Sequence, residues 1–323
     1  MISVDVSFLI ITGMKQCVSV FVGMWLVLCG CLTAQQDPLY SQYQFNTLVV
    51  NPAYAGSRGV LSAMLLMRRQ WVGFDGAPAT RAFTLHTPFT RSNVSLGLSL
   101  VHDELKPLSQ SAFFADYAYA LRLGDDLRLS LGIKGGISRV VTDWASLHAM
   151  PGSADPAYPS ASEGRWLPNV GLGFYLYHPR FFFGVSVPKL MENDLSSQQL
   201  NQAILSGHEV RHYFVAGGWA KTLNAVWSLK PSLMARVAQA APWSVDANLN
   251  LLYRDRLWLG GMYRFGAAYG GMVKLLLSDR WSVGYAIEYS VNDLRRYAGG
   301  THEVMLGYEP VFKHRKVSNP RFF

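Results

Sequence analysis

The side chains that could do chemistry here are eight histidines, at 86, 102, 148, 178, 208, 212, 302 and 314, three cysteines, and charged residues that recur two apart along apolar runs. No pair of histidines has the HExxH spacing of a helical zinc site. His208 and His212 are four apart but fall where a strand begins, so they do not share a helical face. A membrane-embedded Ser–His hydrolase has no specific motif behind it. No catalytic residue, cofactor or metal is therefore expected.

The cysteines bound the thiol chemistry. Cys17, Cys29 and Cys31 all lie in a targeting segment: Met14-Lys15-Gln16 supplies a basic start directly before the apolar run Val18 to Leu28, and Leu32-Thr33-Ala34 offers a cleavage site before Gln35. Cleavage there leaves a mature chain without thiols, which excludes disulfides, cysteine metal sites and a cysteine nucleophile. A second reading is open, because Leu28-Cys29-Gly30-Cys31 has the look of a bacterial lipobox that would lipidate Cys31. The segment holds one Lys and one Asp, Lys15 and Asp5, so its removal leaves the net charge at +8.

The elements that must position the charges are strands. The 323 residues are 50% hydrophobic and only 15% charged, with 13% aromatics and 29 glycines, a mix suited to many strands joined by tight turns. Leu127, Leu129, Leu131, Ile133, Gly135 and Ile137 share one face, with Arg128, Ser130, Gly132, Lys134, Gly136 and Ser138 on the other. Such a period of two with one wholly apolar face is a half-buried strand. The same alternation predicts strands near 60–70, 80–88, 93–102, 110–123, 126–140, 168–177, 180–188, 209–221, 224–239, 242–253, 256–265, 267–277, 280–290 and 298–309. No later stretch has the roughly 20 uninterrupted apolar residues of a membrane helix.

About fourteen antiparallel strands, an even number, fit an all-β transmembrane outer-membrane β-barrel. Joints after even-numbered strands are short, as at Gly124-Asp125 or Arg254-Asp255, while those after odd-numbered strands include the long ones: Trp71 to Ala79, Asp103 to Ser109, Val141 to Leu167, Lys189 to His208 and Val291 to Tyr297. Short periplasmic turns and longer external loops put both termini in the periplasm. Two aromatic belts are expected, one with Tyr177, Phe181, Trp219, Tyr253, Trp258, Trp281 and Tyr308, the other with Trp166, Tyr213, Trp243, Phe265 and Tyr289. A soluble sandwich or barrel also alternates, but it explains neither the apolar outward face nor the alternating turn lengths.

Strand parity points Asp116, Arg122, Arg128, Lys134, Lys230, Arg236 and Glu288 into the lumen. There they either line a channel or pair across it as ordinary lining, and a wall of this size leaves the interior hydrated or plugged. Ser196 to Ser206 reads as a short loop helix whose Leu200, Ala203 and Ile204 could cap the lumen or simply face solvent.

Three further blocks stand out. Asn51-Pro52-Ala53-Tyr54-Ala55-Gly56 is a turn ahead of the first strand: the residue before Pro is driven out of helical geometry, and Gly56 can take positive φ. Arg68, Gln70 and Trp71 lead into a loop made compact by Gly73, Gly76 and Pro78. These residues either seat the N-terminal arm or bind a partner. From Lys313 to Phe323 the tail carries Lys313, Arg315, Lys316 and Arg321 without an acid, together with Phe323, and suits an acidic partner or membrane surface as well as a solvated end.

Asp37-Pro38-Leu39-Tyr40-Ser41-Gln42-Tyr43, Phe45-Asn46 and Asn51 to Ser57, followed by Arg68, Gln70-Trp71, Gly73-Phe74 and Gly76 to Thr80, and the ending Asn319-Pro320-Arg321-Phe322-Phe323, resemble the PorP/SprF family of type IX secretion system membrane proteins. Asn319 and Phe322 depart from that family's usual Ser and Tyr. The resemblance implies a non-enzymatic outer-membrane barrel of Bacteroidota in contact with periplasmic ring and peptidoglycan-associated components. It also implies a role in secreting or attaching proteins and adhesins with C-terminal sorting domains. Lipid surrounds such a barrel, and no nucleic acid is expected. The divisions are then a signal peptide at 1–34, a periplasmic arm at 35–59, the barrel at 60–309 and a basic periplasmic tail at 310–323. A porin or small-solute channel is the alternative, and a surface protein lipidated on Cys31 a third.

Overall fold

The computed structural model describes residues 40–89, 92–143, 163–194, 208–239, 242–291 and 299–310. The signal segment, the stretch Ser196 to Ser206 and the tail residues Lys313, Arg315, Lys316, Arg321 and Phe323 lie outside the described residues.

Alternating sequence becomes alternating burial along most of the wall, as in Ser62–Arg69, Arg128–Thr142 and Trp227–Ala238. The strands are β1 (Ser62–Arg69), β2 (Ala79–Pro88), β3 (Val94–Leu105), β4 (Leu108–Arg122), β5 (Arg128–Thr142), β6 (Glu163–His178), β7 (Phe181–Val187) and β8 (His212–Trp219). There follow β9 (Lys221–Thr222), β10 (Trp227–Ala238), β11 (Ser244–Tyr253), β12 (Leu257–Arg264), β13 (Ala268–Leu276), β14 (Trp281–Ser290) and β15 (Thr301–Tyr308). Each pairs antiparallel with its sequence neighbour, β8 and the two-residue β9 both lie against β10, and β1 pairs with β15. The sheet is therefore a closed barrel of fourteen staves. Closure removes every free edge, the condition under which a sheet can sit in hydrocarbon.

The wall has an apolar outside. Leu131, Ile133, Leu172, Leu233 and Leu249 are exposed at their outward positions, whereas their sequence neighbours Ser130, Gly171, Ser232 and Asn250 face inward. At one end the joints are tight, as between β6 and β7 or β11 and β12; at the other lie the connections β5 to β6 and β7 to β8.

Two expectations need correction. The joint from Asp103 to Ser109 is not a long loop: β3 and β4 stay paired through Leu105↔Leu108, with Lys106-Pro107 as the turn. Beyond the apolar band the strands stand in water, so the hydrophobic alternation fades while the backbone ladder continues. Trp258 and Tyr177 do not belong to the outer belts. Trp258 is 1% exposed inside the lumen, and the Tyr177 ring stacks on the buried Tyr175.

Candidate functional site

The lumen is filled by the chain's own N-terminal arm. From Tyr40 to Ser57 nearly every residue is buried, including polar Ser41, Gln42, Gln44, Asn46, Thr47 and Asn51. The arm was expected in the periplasm over 35–59; its described part, from Tyr40, runs instead through the barrel. The physical reason is that an empty lumen would hold water. Tyr43, Leu48, Ala53 and Tyr54 leave that water on docking, and full burial of a large apolar side chain is worth about 2 kcal/mol.

Locally the arm is three single turns of 3-10 helix, Tyr43–Phe45, Thr47–Val49 and Pro52–Tyr54. Short turns leave many backbone groups unbonded within the segment, and the inward polar side chains of the wall satisfy them. Asn51 caps the third turn: its Oδ1 accepts from Ala53 N at 3.0 Å, while its Nδ2 donates to the Phe174 carbonyl at 3.0 Å. Ser186 Oγ donates to the Val50 carbonyl at 2.8 Å. The chain then turns at Gly56, φ +76°, whose N–H donates to His86 Nδ1 at 3.1 Å. Gly132 admits this turn, since a Cβ there would overlap the backbone of Pro52 and Ala53.

Two charge centres grip the arm. In the first, the backbone N–H groups of Ser41 and Gln42 donate to the two oxygens of Glu303, at 2.9 and 2.8 Å, and Ser41 Oγ donates to Glu288 at 2.7 Å. Arg68 bridges Glu303 at 3.2 Å and Glu288 at 3.4 Å; Arg264 joins Glu288 at 2.9 Å to Asp246 at 2.8 Å. In the second, Lys134 lies 3.4 Å from Asp116, directly opposite it in the ladder, and its Nζ donates to the carbonyls of Leu48 and Val49 at 3.1 and 3.0 Å. Buried charges are tolerated when paired and hydrogen-bonded, and here the arm supplies part of that pairing.

Between these centres Phe45 sits under Lys274 and Lys230, whose Nζ atoms are 4.2 and 5.5 Å from its ring, and meets Trp258 edge-on. Asn248 donates to the Tyr43 hydroxyl at 3.0 Å and Asn250 to Gln44 at 3.1 Å. Where the arm leaves the barrel, Arg58 pairs with Glu309 at 2.9 Å. A cavity of about 60 Å³ remains beside Tyr40, Val50, Val101, Phe114 and Phe214, room for a few waters.

The residues marked in the sequence divide accordingly. Asp116, Lys134, Lys230, Arg236 and Glu288 are buried in the lumen; Arg122 and Arg128 face each other at the tight-turn rim, Arg122 exposed. Asn51, Pro52, Tyr54 and Gly56 belong to the arm, and Arg68 holds it. Gln70 N–H donates to the Pro78 carbonyl, closing the loop that contains Gly76, and Trp71 N–H to Thr301 Oγ1, tying that loop to β15. Glu303, Arg264 and Asp246 were missed. Their signal was the same inward parity: Glu303 between Thr301 and Met305, Arg264 opposite Asp246.

Among solved structures, the chain is similar to the CymD monoaromatic hydrocarbon channel, at 11% identity and TM-score 0.49 over 86% of this chain and 94% of that one. It is similar also to a Pseudomonas aeruginosa FadL homologue, at 11% and 0.48 over 84% and 95%, and to Acinetobacter baumannii Omp33, at 7% and 0.44 over 78% and 99%. No curated protein matches the chain. The profile described as type IX secretion system membrane protein PorP/SprF matches residues 32–308. A closed barrel with an apolar outside, matched by that profile over almost its whole length, is an outer-membrane protein of the PorP/SprF family, to which this chain belongs.

Proposed function

We propose that this barrel is a non-enzymatic component of the type IX secretion system, supporting secretion or surface attachment of proteins with C-terminal sorting domains through contacts with periplasmic ring and peptidoglycan-associated components. The observation that carries the reading is the family match together with the occupied lumen. A barrel whose interior is taken by eighteen residues of its own arm, Tyr40 to Ser57, offers its two rims to partners rather than a pore to solutes. In this reading the tight-turn rim and the basic tail from Lys313 to Phe323 face periplasmic subunits, and the β5–β6 and β7–β8 connections face outward. A porin, the other reading, needs the arm to leave.

Deleting the gene and measuring the culture supernatant and cell surface by mass spectrometry tests this. Broad loss of proteins with the sorting domain supports a general component, and loss of a single adhesin a dedicated one. An unchanged profile, with no periplasmic protein recovered on pulldown, refutes the proposal.

A further inference from the structure

The outward face changes character along one arc of the rim that carries the longer loops. On β8, β12, β13 and β14 the outward side chains there are Tyr213, Tyr263, Tyr269 and Tyr289, and on β10 and β11 they are Val237 and Val245. On β15, β1, β2 and β3 the corresponding positions are His302, Arg69, Arg81 and His102. Register brings these four together: Arg69 is opposite His302, Arg81 is opposite His102, and Arg69 and Arg81 are diagonal neighbours across β1 and β2. Diagonal positions lie about 7–8 Å apart, within reach of one phosphate for two long side chains.

The next outward positions toward the membrane centre are Met67, Phe83, Leu100 and Val304, all apolar, so the four lie just beyond the hydrocarbon band. Tyr289, two residues beyond the Ile287 that pairs with His302, puts the same level in the aromatic girdle. One acid is in contact: Glu104 is 3.0 Å from His102 and 3.8 Å from Arg81. Tyr285 shares a 2.6 Å hydrogen bond with His302. Arg69 and Arg81 are both exposed, Arg81 by 58%. Arg139, the outward guanidinium at this level on β5, lies over the Trp166 ring at 5.5 Å, whereas Arg69 and Arg81 sit side by side on neighbouring strands. Two exposed guanidinium groups at headgroup depth complement phosphate, which guanidinium binds bidentately.

We propose that this four-strand patch binds the phosphate groups of an outer-leaflet phosphorylated glycolipid, with Arg69 and Arg81 as its ligands and His102 and His302 flanking them. The assignment to the outer leaflet rests on the longer loops facing outward.

The experiment uses the full-length barrel in detergent micelles, read by native mass spectrometry with three probes: bis-phosphorylated lipid A, its dephosphorylated form, and phosphatidylglycerol. Wild type should retain phosphorylated lipid A, and the Arg69→Gln/Arg81→Gln variant should retain it about tenfold less. Arg256→Gln at the opposite rim should leave retention unchanged. Equal retention of both forms of lipid A by wild type, a readout that needs no variant, overturns the proposal, as does unchanged binding by the double variant. Preference for phosphatidylglycerol would place this rim in the inner leaflet and overturn the orientation. Full displacement by equimolar inorganic phosphate would make the ligand a free anion rather than a lipid.

Discussion

Replacing Arg68 by methionine should loosen the arm while leaving the wall intact. Arg68 is buried between Glu303 and Glu288, 3.2 and 3.4 Å away, and its Nη1 also donates to Ser41 Oγ at 2.8 Å. Without it Arg264 is left as the cation paired with Glu288 among the described residues, and Glu303 keeps the two arm N–H donors but loses its counter-charge. Breaking a buried ion pair from one side costs about 3–5 kcal/mol because the other charge stays buried. Undocking lets water reach both carboxylates, so the cost falls on the docked state. At about 1.4 kcal/mol per tenfold, the open population should rise by two to three orders of magnitude. Amide exchange followed by mass spectrometry over residues 40–50 reads this directly, since the Ser41 and Gln42 amides are the donors to Glu303. Adding Glu303→Gln to Arg68→Met removes the stranded charge and should recover part of the protection. Unchanged exchange over 40–50 in Arg68→Met, with the barrel still folded by gel migration before and after heating, would refute this account of how the arm is held.

Two other outcomes are expected. Deleting residues 40–57 should turn a barrel that is silent in planar bilayers into a conducting one, because the arm occupies the lumen; equal conductance with and without the arm would show that it does not block passage. Gly132→Val should displace the Asn51–Ala53 turn, whose backbone a Cβ at 132 would overlap, raising proteolysis near Pro52 with little change in barrel folding.

Most of the wall could be read from sequence because a strand's two faces are written into alternate residues. The run Leu127 to Ile137 shows this, as does the inward set Asp116, Lys134, Lys230 and Glu288. The readings that failed share a cause. Trp258 and Tyr177 were assigned to the membrane interface by residue type, yet they face inward because parity overrides preference and the arm gives Trp258 an aromatic partner in Phe45. The strand ends at Leu105 and Leu108 read as loop in the sequence because polarity in water no longer marks which residues hydrogen-bond.

The sequence alone determined what is local: the alternation that makes a lipid-facing sheet, the Asn51-Pro52 turn and the positive φ of Gly56. Only the tertiary structure decided what fills the barrel. Arm residues 40–57 have no period that announces burial, and their partners are remote in the chain, as Ser41 is from Glu303 and Lys134 from Leu48. Those contacts exist only once β1 has closed on β15, since closure sets the width of the lumen and carries the inward charges of distant strands to one axis.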